Sequence, residues 1–127
     1  MPVNEIDNYL KSVESAFNSI DDGYIESYEE EIITGERCNL RVRVRYSNGS
    51  LLEWNEAVVF ENSKLVHLGY RYHYQDKNNN LIFRYDNTPH FPDLDKFPCH
   101  KHCPDHVDGW ERPEASDVIN EIEKTLI

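Results

Sequence analysis

Leu40-Arg41-Val42-Arg43-Val44-Arg45-Tyr46 is the stretch from which the fold can be read. Apolar and cationic residues alternate with a period of two. Successive side chains of a strand point to opposite faces, so this is a strand with one face buried and one face wet. Asn48-Gly49 follows and tolerates the positive φ of a tight hairpin turn, which makes Leu51 to Phe60 the returning strand. Asn62-Ser63 is a weaker turn into Leu65 to Gln75, and Asn78-Asn79-Asn80 leads into Leu81 to Asp86. Strands joined by such short turns are antiparallel. Tyr24 to Ile33 reads as one more strand, although Glu29-Glu30-Glu31 blurs its alternation.

Outside this region the period changes. Ile6, Leu10, Val13, Phe17 and Ile20 draw one apolar stripe along a helix, which Asn4 can cap and Asp22-Gly23 can end. Ala115, Val118, Ile119, Ile122 and Leu126 repeat the pattern after Pro113, a residue suited to a first helical turn. The expected fold is therefore α+β: an antiparallel β-meander of about five strands with amphipathic N- and C-terminal helices, in one domain over residues 1–127. From Asn87 to Glu111, Pro89, Pro92, Pro98 and Pro104 argue against regular structure, and a long ordered loop is expected.

A chain of 127 residues can close one core without disulfides, and its 8 Tyr, 5 Phe and 2 Trp supply the volume. Three cysteines make no secretory disulfide framework, and no apolar run has spanning length or signal-peptide pattern, so a cytoplasmic protein with no membrane role is expected. The net charge of -11 argues against a general nucleic-acid binder. It is unevenly placed, however. Residues 1–36 hold ten acids and one base, residues 37–104 seven acids and ten bases, and residues 105–127 seven acids and two bases. Five of the six histidines lie in the basic middle, so an anion-handling surface is expected there.

A symmetric turn at Asn78-Asn79 sets a register in which His73 faces Arg84 and Arg71 faces Asp86, while Tyr74 pairs with Phe83 and Tyr72 with Tyr85. The register sorts polar from apolar cleanly. It gathers Arg71, His73, Arg84 and Asp86 on one face, either as an anion site with a titratable histidine or as an ordinary surface ion pair. Arg41, Arg43 and Arg45 would extend that face into a cationic sheet. The Leu52, Trp54, Val58, Phe60 set has the wrong parity for two-residue turns on both sides, which bulged three-residue turns would repair.

The second cluster is Pro98-Cys99-His100-Lys101-His102-Cys103-Pro104-Asp105-His106. Cys and His are zinc ligands, so Cys99, His102, Cys103 and His106 form a possible site, with His90 as a distant ligand, but there is no Cys-x-x-Cys and no finger spacing. Otherwise His100, Lys101 and His102 serve as acid, base or phosphate ligands. No cofactor is favoured, and zinc stays open. Cys38 reads as an ordinary buried residue.

Tyr70-Arg71-Tyr72-His73-Tyr74-Gln75-Asp76, Phe83-Arg84-Tyr85-Asp86-Asn87, Pro89-His90 and Phe97-Pro98-Cys99-His100-Lys101-His102 follow one another in an order and spacing that resembles the core motif of the TumE family of toxin-antitoxin toxins. The family more often has His where this chain has Cys99, and Cys103 is not part of the motif. The resemblance implies a prokaryotic toxin neutralised by direct binding of a cognate helix-turn-helix antitoxin. It supplies no defined reaction. The matched residues suit a metal-independent ribonuclease, with His73, His90, His100, His102, Arg84 and Asp86 as catalytic candidates and Arg71, Tyr85, Asn87 and Lys101 as substrate-binding ones, RNA being a candidate partner. The alternatives are a non-catalytic module that sequesters a protein or nucleic acid, as acidic ends would suit a basic protein partner, and a metal-dependent hydrolase on the Cys/His site.

Overall fold

The computed structural model describes residues 4–126. Helix α1 (Glu5–Asn18) begins where the Asn4 side chain accepts the backbone N–H of Ile6 at 2.9 Å. It buries Ile6, Leu10, Val13 and Phe17, the expected stripe, and stops at Ser19, so Gly23 opens the next strand instead of ending the helix. The strands are β1 (Gly23–Thr34), β2 (Arg37–Tyr46), β3 (Leu51–Glu61), β4 (Lys64–Gln75), β5 (Leu81–Asp86), β6 (His100–Cys103) and β7 (His106–Gly109), with α2 (Ala115–Thr125) closing the chain. They form one antiparallel sheet in the order β1-β2-β3-β4-β5-β6-β7.

The α+β meander between two helices is as expected, but the sheet has seven strands and not about five. The extra pair lies in the segment expected to be a loop. Each strand has four residues, and together they fit between Pro98 and Glu111, with Pro104-Asp105 as the hairpin turn. Proline bars a central ladder position and not a turn, so the proline spacing marked boundaries.

The parity conflict in β3 has two solutions. Between β2 and β3 the turn has three residues, Ser47 to Gly49, with Tyr46 donating to the Ser50 carbonyl at 2.9 Å and Gly49 at φ +86°. Between β3 and β4 the turn keeps two residues, Asn62 and Ser63, both at positive φ, and the register shift sits inside the strands instead, where Ala57 pairs with Gly69 but Val58 with His67. The β4–β5 pairs are the expected ones, Arg71 with Asp86, Tyr72 with Tyr85, His73 with Arg84 and Tyr74 with Phe83. The turn beyond them is not symmetric: Asp76 donates to the Asn80 carbonyl at 2.9 Å, and the register shifts after Tyr74.

Both helices pack on one sheet face. There Leu40, Val42, Val44, Trp54, Tyr72, Tyr74 and Phe83 meet Phe17, Val118 and Ile122, with Trp54 stacked on Tyr72 at 3.5 Å between centroids. Glu56 is buried among them. Its carboxylate accepts the hydroxyls of Tyr9 and Tyr72 at 2.5 Å each and lies 3.3 Å from His67 Nε2. Gly109 holds the connection before β6 against β7, since a Cβ there would lie 1.8 Å from the Asp95 carbonyl oxygen. Gly109→Ala should therefore push residues 91–97 off the sheet and lower stability by about 1–3 kcal/mol or more, read as a drop in thermal unfolding temperature.

Candidate functional site

The sheet face away from the helices carries the polar partners of every core strand. Alternation puts Asn39, Arg41, Arg43 and Arg45 there from β2, Glu53 and Asn55 from β3, Arg71 and His73 from β4, and Arg84 and Asp86 from β5. The expected cationic sheet is only partly cationic. Glu26 takes Arg43 at 2.7 Å and Arg45 at 3.1 Å, and Glu53 lies 3.6 Å from Arg43. These pairs are solvent-exposed and contribute little to stability. Among the described residues Arg41 and Arg71 enter no ion pair, and they line one shallow groove with Asn39, Asn55, Asn87 and Thr88.

The pairing of β5 with β6 sets His102 beside Arg84 and His100 beside Asp86. Asp86 is 4% exposed and His100 2%. Asp86 is held from several sides. Its Oδ2 accepts Arg84 Nε at 3.0 Å and lies 3.6 Å from His102 Nε2, while its Oδ1 accepts the Thr88 backbone N–H at 3.1 Å and lies 2.7 Å from His100 Nε2. Arg71, expected opposite Asp86, is its register neighbour but not its ion-pair partner. The shorter guanidinium path comes from Arg84, two residues along the same strand.

His100 is fixed at its other nitrogen, where Nδ1–H donates to the Pro98 carbonyl at 2.9 Å. Its Nε2 is near Asp86 but not aligned with it, and it makes no hydrogen bond of acceptable geometry. Direction decides where a lone pair or proton points, so the short distance alone makes no hydrogen bond. Phe91 packs over both rings, 5.3 Å from His100 and 5.7 Å from His102 between centroids, and the two imidazoles meet edge to face at 4.6 Å. Burial pushes the His102 pKa below its ordinary value, the Arg84 charge adds to the fall, and Asp86 opposes it. His73 is likewise lowered, chiefly by burial, against a hydrogen bond between its Nε2 and Gln75 Oε1 at 3.0 Å that raises it.

The expected residues thus fall in three places. Arg71, His73, Arg84, Asp86, His100 and His102 share one face, and Asn87 lies at its edge, its Oδ1 accepting the Tyr70 backbone N–H at 3.0 Å. His90 is exposed on the loop, near enough for its charge to lower the His102 pKa. Tyr85 and Lys101 face the helices instead. Tyr85 is 3% exposed and donates its hydroxyl to Glu121 at 2.6 Å, while Lys101 pairs with Glu121 at 2.8 Å over the rings of Phe83, Tyr85 and Trp110. Strand alternation within His100-Lys101-His102 sends the lysine to the opposite face, so neither residue can line a surface that the histidines line.

The Cys99, His102, Cys103, His106 set does not converge. Cys103 has the parity of Lys101, and His106 is exposed between Asp105 at 2.6 Å and Asp108 at 3.1 Å. Among the described residues, the His, Cys, Asp and Glu side chains close enough to share one ion are Asp86, His100 and His102. Sequence reasoning missed Phe91, the Pro98 carbonyl and the Thr88 N–H, none of which has a sequence signal, and Asn55, which the alternation of β3 could have revealed.

Fold and site together define a small α+β protein whose charged and titratable side chains are gathered on the uncovered face of a sheet. Residues 14–127 of the 127-residue chain match the family model described as Toxin TumE, and the chain belongs to this toxin family. A toxin of this family implies an antitoxin partner. Comparison with curated proteins and with solved structures gave no match. Among the described residues no helix is long and apolar enough to cross a membrane.

Proposed function

We propose that this toxin cleaves RNA on the open face over β4, β5 and β6. The observation that carries the reading is the convergence of Arg84, His100 and His102 on the buried carboxylate of Asp86, with Arg71, which enters no ion pair among the described residues, one strand away. Such a cluster can bind a phosphodiester and handle a proton beside it. Arg71 and Arg84 are the phosphate ligands, and Arg84, held by Asp86, is aimed before substrate arrives.

In the metal-independent form, His102 is the base, because His100 is buried and held. The ribose 2′-oxygen bonds to the adjacent phosphorus as its proton passes to the imidazole. The bond from phosphorus to the 5′-oxygen then breaks, and that oxygen takes a proton from solvent or from His90 at the rim. The products are a 2′,3′-cyclic phosphate and a 5′-hydroxyl. His73 tunes the field from the next strand and is not the base, since its Nε2 faces Gln75 and its Nδ1 is buried. A metal-assisted form, in which His102 is a ligand and not the base, is supported by a separate observation, the unpartnered Nε2 of His100 among the described residues. The cognate antitoxin is read as a helix-turn-helix protein whose basic surface meets the acidic ends of the chain.

Purified protein incubated with total RNA should release 5′-hydroxyl fragments. Arg84→Ala and His102→Ala should each slow release about 100-fold or more, and His73→Ala about 10-fold or less. Growth arrest by the intact protein with no cleavage of any RNA would replace this reading with sequestration of a target.

A further inference from the structure

We propose that Asp86, His100 and His102 bind one zinc ion. One Asp oxygen and two imidazole nitrogens lie within 4.8 Å of one another, and they come from two adjacent strands whose backbones are fixed by ladder pairing. Nitrogen-rich sets of this kind suit zinc and other late first-row cations and disfavour magnesium and calcium, which take oxygen. Three protein ligands are also the number that catalytic zinc sites use, leaving a position for water or substrate.

The tautomer of His100 is the strongest observation. Its Nδ1–H is committed to the Pro98 carbonyl at 2.9 Å, so in the neutral ring Nε2 bears the lone pair. That lone pair sits in a site 2% exposed, 2.7 Å from a carboxylate oxygen that cannot donate to it while ionised. A positive charge must therefore serve both atoms, a second imidazole proton in the metal-free protein or a cation that displaces it. Nε2 makes no hydrogen bond of acceptable geometry among the described residues, which makes it the buried polar atom of the cluster that lacks a partner.

The surroundings match what orients metal ligands. The carbonyl of Pro98 fixes one imidazole, and the Thr88 N–H at 3.1 Å and Arg84 Nε at 3.0 Å fix the carboxylate. Phe91 covers both imidazoles and lowers the local dielectric. Arg84 counts against a bare cation through repulsion. It also supplies a second positive group on the same face for an anionic phosphate. The purpose of the ion rests on the reading of this face as the cleaving one, whereas its binding does not.

The test uses the intact chain without nucleic acid. Protein purified without chelator is assayed for metal, then stripped and titrated with zinc against a chromophoric chelator and with cobalt(II) in the visible region. About one equivalent of zinc, cobalt bands that zinc abolishes, and affinity at least about 100-fold weaker in both His102→Ala and Asp86→Asn are expected. His102 is the less buried of the two imidazoles, at 15% exposed against 2%, so its variant should keep the fold, and circular dichroism checks both. Absence of stoichiometric zinc, or zinc affinity unchanged in the folded variants, overturns the site. RNA cleavage persisting in EDTA by a protein that takes up no zinc would overturn the site and leave the ribonuclease reading standing. Stoichiometric zinc in a protein that cleaves no RNA would support the site and remove that reading.

Discussion

Asp86→Ala is expected to abolish the toxin's activity and to destabilise the metal-free protein by about 3 kcal/mol, as measured by urea unfolding in EDTA. Three side chains converge on this carboxylate, and two of the four groups are almost completely buried. Removing one member of a buried charged cluster costs about 3–5 kcal/mol because the others keep their desolvation penalty without a partner. The lower end applies here, since Arg84 is about a quarter exposed at 27% and can turn to water. Asp86→Asn should recover part of the stability, because the amide oxygen can still accept from Thr88 or Arg84. It should recover none of the activity.

The second large effect lies on the opposite face. Glu56→Ala should cost about 3 kcal/mol, because it leaves the Tyr72 hydroxyl without its acceptor and removes the carboxylate from Tyr9 and His67, which keep only each other at 2.9 Å, inside the layer between sheet and α1. Arg112 donates to the same Tyr72 hydroxyl at 3.1 Å, so the approach to α2 loosens as well. Activity per folded molecule should be unchanged, which separates this scaffold residue from Asp86. Burial pushes the Glu56 pKa up, but hydrogen bonds from His67, Tyr72 and Tyr9 outweigh it and leave the carboxyl below its ordinary value of 4.5. The carboxylate therefore contributes stability above pH 4.5, and that contribution is lost as pH falls through the lower folded value. Glu56→Gln should flatten the acid limb of a plot of unfolding free energy against pH.

Much of the fold could be read because β2 to β5 sort their residues by face. Arg41 to Arg45 against Val42 and Val44, and Arg71 and His73 against Tyr72 and Tyr74, leave one register that buries the rings, and that register is present. β6 and β7 could not be read the same way. Four residues give too little alternation, and the prolines around them read as breakers although they sit at the ends. That miss propagated to the site. With β6 recognised as a strand, alternation alone would have sent His100 and His102 to one face and Lys101 to the other. The meeting of β6 with Asp86 was beyond sequence reasoning, because it depends on how the chain returns across residues 87–99 to pair with β5. Glu56 was visible only as a carboxylate in an apolar row with Trp54 and Val58. Its partner His67 sits beyond a register shift that no residue type announces.

The most direct test of the open face as the toxin's reactive surface is to map RNA termini in cells that express it. Cells producing the wild-type chain should stop growing and accumulate new 5′-hydroxyl RNA ends, and cells producing Arg84→Ala or His102→Ala at equal levels should do neither. Growth arrest of equal strength by the wild type and both variants, with no new ends in any of them, would contradict it.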